Sequence, residues 1–146
     1  MVQQKLRGRT LHPMDSAGVS YNMRRIHLEG ARIQVHPEGE PGKGYDLVAP
    51  LDASGHISVE GWRSQRALCF VPRLEGGEIV ERGLLTHRGG GHGGGTWMID
   101  YDPRKVGEEE SGFHFEAHVF KPGEYVSIGG PDGYLYPYRV TTVLPR

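Results

Sequence analysis

The sequence has a single cysteine, no long apolar run and almost no net charge. The lone Cys69 excludes an internal disulfide and fits a reducing compartment. No apolar run approaches the roughly 18 residues of a membrane-spanning helix, and the amino terminus has no stretch typical of a signal peptide. The net charge of −1 gives no global field that would attract nucleic acid or anionic lipid. These absences predict a cytoplasmic protein that binds neither nucleic acid nor membranes.

Glycine and proline, by contrast, are abundant. The 146 residues include 23 glycines and 10 prolines, and hydrophobic residues make up 36%. A chain of this length can still bury roughly 68% of its unfolded surface in one core. The composition therefore predicts one small β-rich domain with many turns.

Charge is distributed unevenly along the chain. Residues 1–25 carry five basic residues against one acidic residue, and residues 100–116 carry a local charge of −4. Residues 1–29 show no hydrophobic period, so we expect a loosely ordered basic N-terminal segment before a single β-rich domain at 30–146. Such charge runs are usually solvated. The alternative is that the basic segment docks on an acidic partner or on the acidic loop.

Alternating apolar residues predict two hairpins and a further strand. The first hairpin joins 31–36 to 45–51, the second joins 68–74 to 78–87 through Gly76 and Gly77, and the further strand is 96–102. Gly83 interrupts the alternation of its run and predicts a β-bulge there. Cys69 lies in the apolar start of the second hairpin, which predicts a buried, inert thiol.

One short helix is predicted at about 59–67, where the β pattern breaks. Ser58 can cap it, and Glu60 would lie in its first turn at the positive end of the helix dipole. Gly61 would cost this helix about 1 kcal/mol relative to alanine.

The last third of the chain predicts a three-stranded antiparallel meander over 111–143. Its turns are 121–124 and 129–133, both rich in glycine and proline. Pro137 within the last strand predicts an edge strand or a bulged strand, and an exposed edge there could pair with another chain. The fold class that follows is a mostly β, single-domain antiparallel small barrel or strongly bent sheet with one short helix.

A histidine-rich pattern lies in the first strand of this meander. His114, Glu116 and His118 share one face, and neighbours lie about 6.6 Å apart, so one pair could share a metal. His87 lies just before the glycine-rich loop 89–95 and His92 lies within it, and both could complete the site for a divalent transition metal such as zinc. The alternative is an ordinary solvated strand face.

The glycine run itself does not fit a dinucleotide site. Such a site needs a following helix, whereas residues 96–102 read as a strand. The run is typical of a flexible loop, and the alternative is a lid whose backbone amides wrap an anion.

The segments 97–102 (WMIDYD) and 123–128 (GEYVSI) together resemble a group of small, uncharacterised bacterial β-domain proteins. This resemblance implies a β fold and brings no activity with it. The first functional hypothesis is a non-enzymatic binding or interaction module with a protein partner or with self-association. The alternative is a metal-dependent small-molecule binder or enzyme built on the histidine strand.

Overall fold

The computed structural model of this chain describes residues 20–32, 37, 39–89, 96–101, 110–113, 115, 118–129 and 134–146. These residues form a mostly β, antiparallel barrel with one short α-helix, which confirms the predicted fold class. The elements are β1 (Tyr21–Gly30), β2 (Glu40–Asp52), α1 (Val59–Gln65), a 3₁₀ turn (Arg66–Leu68), β3 (Phe70–Glu75), β4 (Glu78–Arg88), β5 (Thr96–Asp100), β6 (Glu110–Phe113), β7 (Tyr125–Gly129) and β8 (Leu135–Pro145). Each strand pairs with the next, and β8 pairs with β1 to close the barrel.

The first strand lies earlier in the chain than predicted. Tyr21–Gly30 form β1, so the expectation of loose order was wrong for these residues. Residues 1–19 and the predicted first strand beyond Arg32 lie outside the described residues. Arg25, His27 and Glu29 of β1 alternate with Ile26 and Leu28, which are completely buried. These three charged or polar side chains therefore lie on the outward face of a strand whose other face packs on the core.

Inward-facing side chains fill the barrel. Alternate residues of the strands point to its interior, where one continuous cluster of buried apolar residues forms the core. The bulkiest of the completely buried side chains are Trp97, Phe115 and Phe120. Eight-stranded barrels have an interior just wide enough for such side chains.

The predicted helix is confirmed, and it packs beside β2 and β4. The Ser58 side chain accepts a hydrogen bond from the Gly61 amide at 2.9 Å, as the capping prediction requires. Trp62 is buried, and its indole Nε1 donates to the Leu85 carbonyl at 2.8 Å. This hydrogen bond ties the helix to an inward-facing residue of β4.

The predicted β3–β4 hairpin and its Gly76-Gly77 turn are confirmed, but the prediction of a β-bulge at Gly83 is wrong. The register of the pair shifts after Arg73, so the extra residue is Val80. Gly83 pairs in register with Val71. A Cβ at Gly83 would lie 2.9 Å from Cγ2 of Ile99, so this glycine makes room for a core side chain on the neighbouring strand.

The C-terminal meander is confirmed with a shorter first strand. Strand β6 ends at Phe113, Phe115 lies in a turn, and His118 lies outside any strand. Phe115 is completely buried, so its aromatic ring belongs to the core although the residue lies beyond the end of β6.

Strand β8 is not the exposed edge that Pro137 predicted. Pro137 pairs with Ser127 of β7, and its carbonyl accepts a hydrogen bond from the Ala31 amide at 3.0 Å. On its other side, the strand pairs with β1 from Tyr138 to Pro145. Barrel closure therefore uses the edge that the sequence suggested for partner pairing.

Candidate functional site

The five residues of the predicted metal site are only partly described. His92, His114 and Glu116 lie outside the described residues, whereas His87 and His118 lie within them. Within the described ranges, no group of three His, Cys, Asp or Glu side chains could hold a metal ion. The metal site therefore stays a prediction.

His87 lies among aromatic rings near the helix. Its ring centroid is 4.4 Å from that of Trp97 and 5.9 Å from that of Trp62. The Arg66 guanidinium lies 5.2 Å from the Trp62 ring centroid, which adds a cation–π contact. This environment packs His87 as part of an aromatic cluster between the helix and the barrel wall.

The thiol of Cys69 is buried, as the sequence predicted. Its side chain is completely buried, and burial raises the pKa of the Cys69 thiol to about 12. At neutral pH the thiolate population is therefore very small, and the thiolate is the nucleophilic form. Cys69 is not a candidate nucleophile.

A group of ionisable side chains surrounds His27 on the outer wall of the barrel. His27 pairs in register with Asp46 of β2, and its Nδ1 lies 2.7 Å from Oδ1 of Asp46. Because a carboxylate only accepts, Nδ1 donates in this bond. On the opposite side of the ring, Nε2 lies 3.5 Å from Oε2 of Glu29, two residues along the same face of β1.

This arrangement orients the His27 imidazole but does not form a metal site. The two carboxylates lie at opposite ring nitrogens, so they do not converge with the ring on one point. Arg25 adds a positive charge, with its guanidinium 3.7 Å from Oδ2 of Asp46. The cluster is therefore a network of alternating charges along β1 and β2.

A groove of about 470 Å³ opens beside this network. Its lining includes the charged residues Arg25, Lys43 and Asp46 and the apolar residues Leu74, Ile79 and Leu144. These residues come from distant parts of the chain, because β8 lies on one side of the β1–β2 hairpin and β3 with the β3–β4 turn lies on the other. We call this surface the outer groove, and it can hold a ligand that has both apolar and charged parts.

Sequence reasoning missed the outer groove because it placed the first strand after Gly30. The available signal was the alternation of Arg25, His27 and Glu29 with Ile26 and Leu28. That signal locates a strand, but the meeting of His27 with Asp46 depends on the register of β1 against β2.

No protein-family model, no curated protein and no solved structure matches this sequence. In the part of the chain that the structure describes, no helix is long and apolar enough to span a membrane.

Proposed function

We propose that this protein is a non-enzymatic binding module that holds a segment of a partner protein in the outer groove. The observation that carries the proposal is the outer groove itself, where apolar side chains border charges of both signs. The filled barrel interior supports an external site, because the inward-facing positions are occupied by core side chains.

The charged side of the groove favours an acidic residue in the partner. Arg25 is 58% exposed, and it lies 3.7 Å from Asp46. An exposed ion pair of this kind contributes about 0–1 kcal/mol. Arg25 can therefore exchange Asp46 for a partner carboxylate with little loss of stability.

The apolar side of the groove favours an apolar side chain next to that acidic residue. Ile79 and Leu144 both line the groove and are 43% and 48% exposed, and Leu144 pairs in register with Arg25. Covering these two side chains removes apolar surface from water, at about 25 cal/mol per Å². The proposed partner segment thus has an apolar residue adjacent to Asp or Glu.

Selection from a displayed random-peptide library tests this proposal. We expect the wild-type protein to enrich peptides with an apolar residue next to an acidic one. Ile79→Asp should weaken binding of a selected peptide at least about tenfold, since it places a charge on the apolar wall. The matched control is Val80→Asp, because Val80 is 46% exposed but does not line the groove.

Equal effects of the two substitutions, or no enrichment at all, would contradict the proposal. Self-association through the outer groove is distinguished by size-exclusion chromatography. A second copy of the chain in the groove would give a dimer, and Ile79→Asp would convert that dimer to a monomer. Melting temperatures of both variants check that each one is folded.

A further inference from the structure

A second recess, of about 500 Å³, lies farther along β1 on the outer wall. Its lining includes Arg32, Tyr125, Arg139 and Glu29. No residue that lines the outer groove also lines this recess. We call this surface the arginine recess.

The strand register places three of its side chains in one row. Arg139 of β8 pairs with Glu29 of β1 on one side and with Tyr125 of β7 on the other. Directly opposed residues in antiparallel strands have Cβ atoms about 4.5–5.5 Å apart. One neighbour of each residue along its own strand is buried in the core, so the row itself faces outward; these neighbours are Leu28, Val126 and Val140.

The charge of the recess is unbalanced. Glu29 directs its carboxylate along β1 toward His27, with Oε2 3.5 Å from Nε2. Among the described residues, neither Arg32 nor Arg139 has a carboxylate within ion-pair distance. Within the described residues, two exposed guanidinium groups therefore line one recess without an ion-pair partner, and Glu29 is the one acidic residue in the lining.

Two further features indicate the kind of anion that fits. The guanidinium fork matches the oxygens of a phosphate group and binds it through paired hydrogen bonds. Tyr125 is 58% exposed and presents an aromatic ring on which a planar base can stack. The volume of the recess lies within the range of small-molecule sites.

We propose that the arginine recess binds a nucleoside monophosphate. The phosphate lies between Arg32 and Arg139, and the base stacks on Tyr125. The near-neutral charge of the whole chain disfavours a polyanion, but a single phosphate requires only this local pair of charges. The site is independent of the outer groove, and either proposal can fail without the other.

Calorimetric titration with adenosine 5′-monophosphate tests the site. We expect Arg139→Gln to weaken binding at least about tenfold, because it removes a charged partner of the phosphate. Tyr125→Leu should weaken binding of the nucleotide several-fold and leave binding of inorganic phosphate unchanged. The matched control is Arg82→Gln, an exposed arginine of β4 that lines neither recess nor groove, and it should bind like the wild type.

The substitution Glu29→Gln should change the affinity for the nucleotide in the opposite direction. Removing this negative charge from the recess should tighten nucleotide binding. Absence of binding at millimolar nucleotide, or equal losses in Arg82→Gln and Arg139→Gln, would overturn the proposal. Tighter binding of a phosphotyrosine peptide than of the nucleotide, with the same arginine dependence, would also overturn it in favour of a phosphorylated protein partner.

Discussion

Gly61 weakens the helix in which it lies, yet its position in the fold requires it. A Cβ there would lie 2.9 Å from Cβ of Pro50 and 3.0 Å from the Tyr21 ring. The helix therefore approaches the β1–β2 hairpin more closely than any other residue at this position would allow. Helix propensity accounts only for the cost of Gly61 to the helix, and it does not include the close packing that this glycine permits.

Gly61→Ala should destabilise the protein by about 1 kcal/mol. Overpacking in a well-packed interior costs about 1–3 kcal/mol, whereas alanine returns about 1 kcal/mol of helix propensity. Urea denaturation measures the balance. Gln65→Ala in the same helix serves as the control and should stay within about 0.5 kcal/mol of the wild type. A stabilised Gly61→Ala protein would show that the backbones move apart without penalty.

The charged residues of β1 show how residue type alone misleads. Arg25, His27 and Glu29 appear in the sequence as part of a basic, aperiodic segment. In the fold they occupy the outward positions of a strand, and one of them is the centre of the candidate site. The sequence shows their charge directly. It shows the strand less clearly, because glycines and further basic residues surround the alternating pattern.

At the scale of elements, the turn after β2 is held by one carboxylate. Oδ1 of Asp52 accepts hydrogen bonds from the Ser54 amide at 2.9 Å, the Ser54 hydroxyl at 2.7 Å and the His56 amide at 3.1 Å. Partial burial would raise the pKa of Asp52, but these hydrogen bonds and the nearby His56 outweigh it and hold the pKa below its ordinary value of 3.8. The folded state thus favours the ionised form.

Asp52→Asn should cost about 1 kcal/mol at neutral pH, because a charged acceptor is replaced by a neutral one. A lowered pKa in the fold stabilises the protein fully above the unfolded pKa, and this contribution is lost as the pH falls through the folded pKa. The difference between wild type and variant should therefore shrink below pH 3.8.

Chemical denaturation across this pH range measures that difference. Glu124→Gln is the control, since Glu124 is exposed and its substitution should change stability little at any pH. A difference between wild type and Asp52→Asn that persists unchanged into acid would contradict the charge-based explanation.

The β3–β4 hairpin and its turn were predictable from the sequence, whereas the partner of β2 was not. The Gly76-Gly77 turn has positive φ at both glycines, 61° and 81°, which is the backbone that such a two-residue turn requires. The bulge was misplaced because Gly83 interrupts the alternation while remaining in register. Local sequence shows that a glycine is special, but only its neighbours on the adjacent strand show whether it bends the chain or makes room.

At the scale of the whole molecule, β1 is the element that closes the barrel. It pairs with β2 along one edge and with β8 along the other, and it contributes Ile26 and Leu28 to the core. The β2–β3 pair, by comparison, has only two register partners, at Gly44 and Tyr45. Loss of β1 would expose two long strand edges at once.

A chain that begins at Ala31 should therefore fail to unfold cooperatively, whereas a chain that begins at Ser20 should keep a cooperative transition. Differential scanning calorimetry of the two truncated proteins measures this difference. A cooperative transition in the shorter chain would mean that β2 and β8 close the barrel without β1.

Periodicity and residues close together in the chain are enough to predict the strand-rich class, the positions of most turns and the capped helix. Which strands pair with one another, in contrast, is visible only in the folded molecule. His27 and Asp46 are 19 residues apart, and Arg139 faces Glu29 from the opposite end of the chain. Both candidate sites depend on such non-local registers, which barrel closure sets by matching buried faces.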